Sequence, residues 1–159
     1  MQPVDARDLD TGTLALFLGT AAAAVVQDDL EAAGFTGLRL SHGYLVQHLV
    51  ESEPTVGELA VKLEVTQQGA SKAVAELERL GYAERFADPR DARVRRVRLT
   101  SRGRDAVEAA RRARRSLEER FRRRIGEDQL GEARAVLADL LDELGGTGAV
   151  RRREVRPPR

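Results

Sequence analysis

Between Thr11 and about Ala33 the apolar positions Leu14, Leu18, Ala21 and Val25 recur every three to four residues, the rhythm of a helix with one apolar stripe. Asp10 or Thr11 stands where such a helix needs its N-cap. Gly34 and Gly37 then punctuate the chain, and Ser41 is placed to cap a second helix carrying Leu45, Leu49 and Val50 on one side. After Glu53-Pro54, the run Thr55-Val56-Gly57-Glu58 is a capping box, in which the hydroxyl and the carboxylate each satisfy a backbone N–H of the other residue. Val56, Leu59, Ala60 and Leu63 follow at i, i+3, i+4 and i+7, which predicts a short helix with one buried face. Thr66 caps the next helix, whose buried stripe is Ala70, Ala73, Val74, Leu77 and Leu80, and Gly81 closes it. Two helices of about two and four turns, joined by so short a connection, predict a helix-turn-helix.

From Tyr82 the period changes to two. Tyr82 to Phe86 reads as a strand, Asp88-Pro89-Arg90-Asp91 as a turn, and Val97 and Leu99 alternate with Arg96 and Arg98 in a second strand, giving a hairpin with a basic outer face. Thr100 or Ser101 caps a long helix with Ala106, Ala110, Ala113, Leu117, Phe121 and Ile125 on one stripe, and beyond Gly126 a last helix bears Leu130, Ala133, Leu137, Leu140, Leu141 and Leu144. The tail from Gly145 to Arg159 has no apolar period and is expected to be disordered. The expected fold is therefore mainly α with one small β-hairpin. It divides into an N-terminal helix at residues 10–36, a lobe of helix-turn-helix and hairpin at 38–100, C-terminal helices at 101–144 and a basic tail at 145–159.

Charge sharpens this picture. The net charge over 159 residues is only +1, yet residues 1–81 hold 5 Lys+Arg against 12 Asp+Glu, residues 82–124 hold 16 against 7, and residues 125–159 hold 6 against 7. A block of positive charge attracts polyanions, because each guanidinium placed at a phosphate releases counterions; the plainer alternative is a solvated helix face. There is no cysteine, which excludes disulfides, thiolate metal sites and thiol redox sensing. His42 and His48 are six residues apart, about 240° around a helix, so they do not share a metal ligand set. No cofactor and no metal are expected. The longest uncharged apolar stretch, Thr13 to Val26, falls short of the roughly 20 residues a helix needs to cross a bilayer, and acidic residues precede it. These features point to the cytoplasm and away from a membrane.

The solvent face of the helix that starts at Thr66 carries Gln67, Gln68, Ser71 and Lys72, with no carboxylate before Glu76. A short anion-free polar face suits the major groove, where glutamine pairs with adenine and lysine donates to guanine. Simple contact with water is the alternative. The hairpin tip projects Arg90 and Arg93, and a narrow minor groove focuses the negative potential that attracts an inserted arginine. Asp91 is expected to hold the Arg93 guanidinium fork in one pose, its alternative being a surface ion pair of roughly 0–1 kcal/mol.

Taken together, the helix-turn-helix, Gly81-Tyr82-Ala83-Glu84-Arg85, Asp88-Pro89-Arg90-Asp91-Ala92-Arg93 and Val97-Arg98-Leu99-Thr100-Ser101-Arg102-Gly103 resemble the winged-helix core of MarR-type transcriptional regulators from about Leu40 to Gly103. The run Asp91-x-Arg93 followed by Leu99-Thr100-x-x-Gly103 is the specific part. The sequence departs from the family pattern at Gly69, inside the predicted recognition helix, and at Glu64, where relatives often have glycine. The resemblance implies a homodimer whose first and last two helices interlock and whose two lobes read a pseudo-palindromic double-stranded operator. Its DNA contacts would be Thr66, Gln67, Gln68, Ser71, Lys72, Arg90, Asp91, Arg93 and Arg96. It also implies a small aromatic or anionic effector, for which Phe17, Phe35, Arg39, His42 and Tyr44 are candidates, with Arg39, His42 and Tyr44 forming the ligand set. The termini point to dimerisation independently, since their apolar stripes are hard to bury on one small lobe.

The expected function is a homodimeric DNA-binding regulator, a repressor by family habit. The rival is a winged-helix module for protein contacts, its arginine-rich helix from Arg111 to Arg124 docking an acidic partner. No catalytic residues are expected: the sequence shows no Gly-rich phosphate loop, metal cluster or nucleophile set.

Overall fold

The computed structural model describes residues 5–151. A single 3-10 turn at Ala6–Asp8 leads into α1 (Thr11–Ala32), followed by α2 (Leu40–Leu49), α3 (Val56–Leu63) and α4 (Gln67–Arg79). The antiparallel strands β1 (Ala83–Ala87) and β2 (Arg95–Leu99) come next, then α5 (Ser101–Ile125), α6 (Glu127–Glu143) and the short α7 (Thr147–Arg151). The predicted helical fold with one hairpin is what forms.

Local capping explains most boundaries. The Asp10 carboxylate accepts from the Thr13 N–H at 3.0 Å, and Thr66 and Thr100 accept from Gly69 and Gly103, each at 3.0 Å. Thr55 and Glu58 close their box in both directions, at 3.2 and 2.7 Å. α2 starts differently from expectation. Its cap is Arg39, whose N–H donates to Nδ1 of His42 at 3.1 Å, and Ser41 lies inside the helix.

α3 ends at Glu64, which holds the left-handed conformation at φ 53°, ψ 41° and supplies the turn before α4. An L side chain is strained there and glycine is not. Glu64→Gly is therefore expected to stabilise the protein by about 1 kcal/mol, raising Tm by roughly 2–4 °C. Thermal unfolding followed by circular dichroism checks this, and an unchanged or lowered Tm would contradict it.

The lobe core gathers Leu45 and Leu49 from α2, Leu59 and Leu63 from α3, Val74 and Leu77 from α4, and Tyr82, Val97 and Leu99 from the hairpin, with Ala106 of α5 beneath them. Burying apolar area on this scale dominates the stability of such a lobe. The hairpin pairs Ala83 with Leu99 through to Ala87 with Arg95, and the Val97 N–H donates to the Pro54 carbonyl at 2.8 Å, so the chain before α3 forms a third edge of the wing. A second cluster joins Val26 and Leu30 of α1 to Ala109 and Ala113 of α5, and Phe35 and Leu38 pack against both clusters.

The terminal helices are buried only in part. In α1 the buried positions are Val26 and Leu30, while Leu14, Leu16, Phe17 and Leu18 are exposed. Only Leu130 of the α6 stripe is buried; Val136, Leu137, Leu140 and Leu141 are exposed, as is Leu144 just beyond. At 22 residues, α1 is also long and apolar enough by length and composition to cross a bilayer, whereas the expectation above counted only its uncharged stretch. In the fold its C-terminal half lies on α5. The tail holds a helix where none was predicted: Gly146 donates to the Leu141 carbonyl at 2.9 Å and turns the chain into α7. The rest of that tail lies outside the described residues.

Candidate nucleic-acid interface

Gln67, Gln68 and Lys72 are exposed on the first turns of α4, opposite the buried Ala70, Val74 and Leu77. Thr66 is exposed too, but its hydroxyl is committed to the cap. Gly69 receives that cap, and a Cβ there would lie 3.2 Å from the Thr66 oxygen, so glycine gives the hydroxyl room to close. Ser71 is half-buried and faces the hairpin. The Arg85 guanidinium donates to its carbonyl at 3.1 Å and to its hydroxyl at 3.2 Å. The same arginine pairs with Glu78 at 2.6 Å, and its backbone N–H donates to the other oxygen of that carboxylate at 2.9 Å. Arg85 thus rivets α4 to β1 from behind the exposed face. Sequence reasoning missed this role, because no local spacing links Glu78 and Ser71 to a residue across the Gly81 turn.

The wing is organised by two aspartates. Buried Asp88 accepts from the Arg90 N–H at 2.8 Å and pairs through its other oxygen with Arg96 Nε. Arg96 also donates to the Glu53 carbonyl at 3.0 Å and approaches Glu58 at 3.8 Å. It is a strut between the wing and the α2–α3 connection, half-buried on the face that the alternation read as the hairpin's basic outer side. Asp91 differs too: its carboxylate accepts from the Arg93 backbone N–H at 3.0 Å, shaping the turn instead of gripping the guanidinium. An aspartate two residues before an amide favours this Asx-type bond over a long-range fork. Arg90 and Arg93 remain exposed at the tip.

Several carboxylates are held below their usual range. For Asp88 the main cause is the Arg90 N–H, followed by Arg96; for Glu58 it is the Thr55 N–H; for Glu76 it is the hydrogen bond from His42. Depressed carboxyl groups favour the fold above about pH 4, and this contribution is lost as the pH falls through their folded values.

Of the candidate effector residues, Arg39 and His42 converge on one carboxylate of α4, and Tyr44 packs on the lobe core. His42 is 4% exposed; its Nδ1 accepts the Arg39 N–H, so Nε2 carries the proton, 3.3 Å from Glu76. The Arg39 guanidinium pairs with the same Glu76 carboxylate. Arg39 and His42 therefore latch α2 to α4. Tyr44 is half-buried against the lobe core. Phe17 lies some 20 Å along α1 from Leu30, whose carbonyl accepts the Phe35 N–H, so the two phenylalanines line no common crevice. A groove of about 680 Å³ runs behind the wing, lined by Glu53, Asp88, Arg90, Arg96 and Arg104 among others, and includes none of the three. Among the described residues no group of three His, Asp or Glu is arranged to hold a metal. On α5 and α6 the arginines partly neutralise neighbours: Arg111 pairs with Glu108, Arg122 with Glu119 and Glu127, and Arg134 with Glu118.

Comparison with known proteins places this geometry. No curated protein matches the sequence. Solved structures do match in fold. A MepR mutant from S. aureus bound to an oligodeoxyribonucleotide has a TM-score of 0.62 at 21% identity, covering 86% of this chain and 99% of its own. FabT from Streptococcus pneumoniae in complex with DNA has a TM-score of 0.66 at 20% identity, covering 86% and 98%. YusO from Bacillus subtilis has a TM-score of 0.66 at 20% identity, covering 89% and 99%. Residues 36–94, the α1–α2 connection through the wing tip, match the MarR family model. That segment resembles the MarR family and is set in a fold that these solved structures share along most of the chain's length.

Proposed function

We propose that this chain is a homodimeric, sequence-specific double-stranded DNA-binding regulator, a repressor that reads a pseudo-palindromic operator from the cytoplasm. One observation carries the reading: an exposed, carboxylate-free face of α4 is braced from behind by Arg85 and flanked by a wing whose tip leaves Arg90 and Arg93 unclasped. Preorganised donors on rigid elements are what groove readout needs. Gln67, Gln68 and Lys72 read bases in the major groove, Thr66 and Ser71 contribute at its edge, and Arg93 enters the minor groove with Arg90 beside it. Asp91 acts through the turn it shapes, and Arg96 through the wing it holds. The family's members are DNA-binding regulators, not enzymes, which agrees with this reading.

In the protomer Leu16, Phe17 and Leu18 of α1 and Val136, Leu137, Leu140 and Leu141 of α6 are exposed together with Leu144. A second copy supplies their burial. Residues 10–36 and 101–144 form the dimerisation region in this scheme, and residues 38–100 the reading lobe. An anionic aromatic effector would act by competing with Glu76 for Arg39 and His42 beside Tyr44, which loosens the α2–α4 latch. The rival protein-docking use of α5 is weakened by the carboxylates that already pair with Arg111 and Arg122.

A paired substitution tests the reading on the duplex that the wild-type protein selects from a random-sequence library. Arg93→Ala is expected to weaken binding by roughly 1–3 kcal/mol, about 5- to 150-fold. Gln68→Ala is expected to relax base preference at one position of each half-site. Unchanged affinity for Arg93→Ala would remove the wing from the account. Uniform weakening on all sequences would remove Gln68 as a base reader.

A further inference from the structure

The lobe meets the α1/α5 pair at two crossings of the chain. At the first, β2 runs into α5, and this crossing is rigid: Thr100 accepts from the Gly103 N–H and donates to the Gly81 carbonyl at 2.6 Å, with Gly103 seated on the Tyr82 backbone. The second is the α1–α2 connection, and it contains Gly34 at φ 87° and Gly37 at φ 78°, which alone would make a loose joint. One rigid crossing and one loose crossing leave a lobe free to swing about its α5 attachment.

Arg102 ties the two crossings together. Arg102, in the first turn of α5, donates to the Gly34 carbonyl at 2.9 Å and to the Tyr82 hydroxyl at 3.2 Å. Its guanidinium carbon lies 4.9 Å from the centre of the Tyr82 ring and 5.7 Å from that of Phe35, within the range of cation–π attraction. The Tyr82 hydroxyl in turn donates to the Thr36 carbonyl at 2.8 Å, and Gln27 of α1 donates to the Leu38 carbonyl at 2.5 Å. Phe35 packs against the lobe core and against the α1/α5 cluster alike, so the clasp grips the segment both units share.

We propose that Arg102 is a positioning residue that fixes the angle between the lobe and the α1/α5 pair, and through it the half-site spacing that the dimer accepts. The proposal rests on the operator-binding reading above. Arg102 touches no base. It acts by holding the joint, so removing it leaves each lobe able to read a half-site while the geometry between the lobes relaxes. Two lobes held at the right separation gain the advantage of linked binding, on the order of 10²- to 10⁴-fold, which is lost when the geometry forbids simultaneous contact. One extra base pair turns the second half-site by about a tenth of a helical turn, so a stiff joint rejects it.

The chain has no cysteine, so Ala75→Cys on the exposed side of α4 gives one spin label per protomer. Pulsed dipolar spectroscopy is expected to show a narrow inter-lobe distance distribution with Arg102 present. Arg102→Ala should broaden it, as should Arg102→Lys, which keeps the charge but loses the planar fork. On unlabelled protein, the library-selected duplex, the same duplex with one central base pair inserted, and a single half-site are compared by anisotropy. The parent is expected to reject the insertion by on the order of 100-fold. Arg102→Ala should reject it less than about 10-fold, with single half-site affinity within about twofold of the parent. Tyr82→Phe, which removes the hydroxyl from the clasp, should move in the same direction by less.

Equal distance distributions and equal rejection of the insertion would overturn the proposal. So would a loss for Arg102→Ala on the single half-site as large as on the full site, since Arg102 would then merely support the lobe. A selection that returned no palindrome would overturn the operator reading and the spacing claim with it, while the label distances would still decide whether Arg102 sets the lobe angle.

Discussion

Gly103→Ala is expected to destabilise the protein by about 3 kcal/mol or more, although alanine in a helix is ordinarily better than glycine by about 1 kcal/mol. A methyl group on Gly103 would overlap the Tyr82 carbonyl oxygen and press the Leu99 side chain at 3.2 Å. Neither neighbour has room to retreat. The Tyr82 carbonyl accepts the Thr100 N–H at 3.1 Å, and the Tyr82 and Leu99 side chains are both buried in the lobe core. Relief therefore requires opening the junction between the hairpin and α5. Gly131→Ala in α6 is the control, because nothing lies within 4 Å of its Cβ position, and this change should be neutral or stabilising by up to about 1 kcal/mol. Urea unfolding of the two variants and the parent decides the matter. A loss below about 1 kcal/mol for Gly103→Ala would show that the junction tolerates the shift.

Placing aspartate at both Leu137 and Leu141 is expected to convert the dimer to protomers. The two positions are four residues apart on one face of α6 and are exposed in the single chain, so the lobe itself should fold normally. Two leucines from each protomer, already more than half buried in the single chain, together contribute roughly 2–5 kcal/mol to a symmetric dimer, which weakens dimerisation by about 30- to 5,000-fold when lost. The added charges would be costly to bury and enlarge the effect. Light scattering on a size-exclusion column should report the protomer mass. Affinity for a full palindrome should drop on the order of 100-fold, while single half-site binding persists. A parent protein that already ran at the protomer mass, or a doubly substituted protein that stayed dimeric, would contradict the assignment of this face.

What was legible in the sequence is mostly what is local. Thr55 and Glu58, Thr66 and Gly69, and Thr100 and Gly103 find each other across three residues, so spacing alone locates the starts of α3, α4 and α5. The buried stripe of α4 was readable for the same reason. The roles of the arginines were not. Arg93 and Arg96 are the same residue type in the same basic hairpin, and only Asp88 and the Glu53 carbonyl, brought in by the fold, make one a strut and leave the other exposed. Asp91 carries enough signal to mark a turn and too little to say that it would hold the Arg93 amide in place of its guanidinium. Ser71 reads as a groove-facing polar residue until Arg85 arrives from beyond the Gly81 turn. At the ends of the chain the apolar stripes of α1 and α6, and the difficulty of burying them on one lobe, were readable from periodicity, but which positions stay uncovered (Leu16, Phe17 and Leu18, and Val136, Leu137, Leu140 and Leu141) and which pack (Val26, Leu30, Leu130) depends on where α5 lies.

The measurement that bears most directly on the account is fluorescence anisotropy of the purified protein on the intergenic DNA beside its own gene, with a scrambled duplex of equal length and a salt titration of both. The account predicts preference for the intergenic duplex of about 10³-fold or more at physiological salt, with both affinities falling as salt rises. Weak, equal binding to the two duplexes with parallel salt dependence would contradict it.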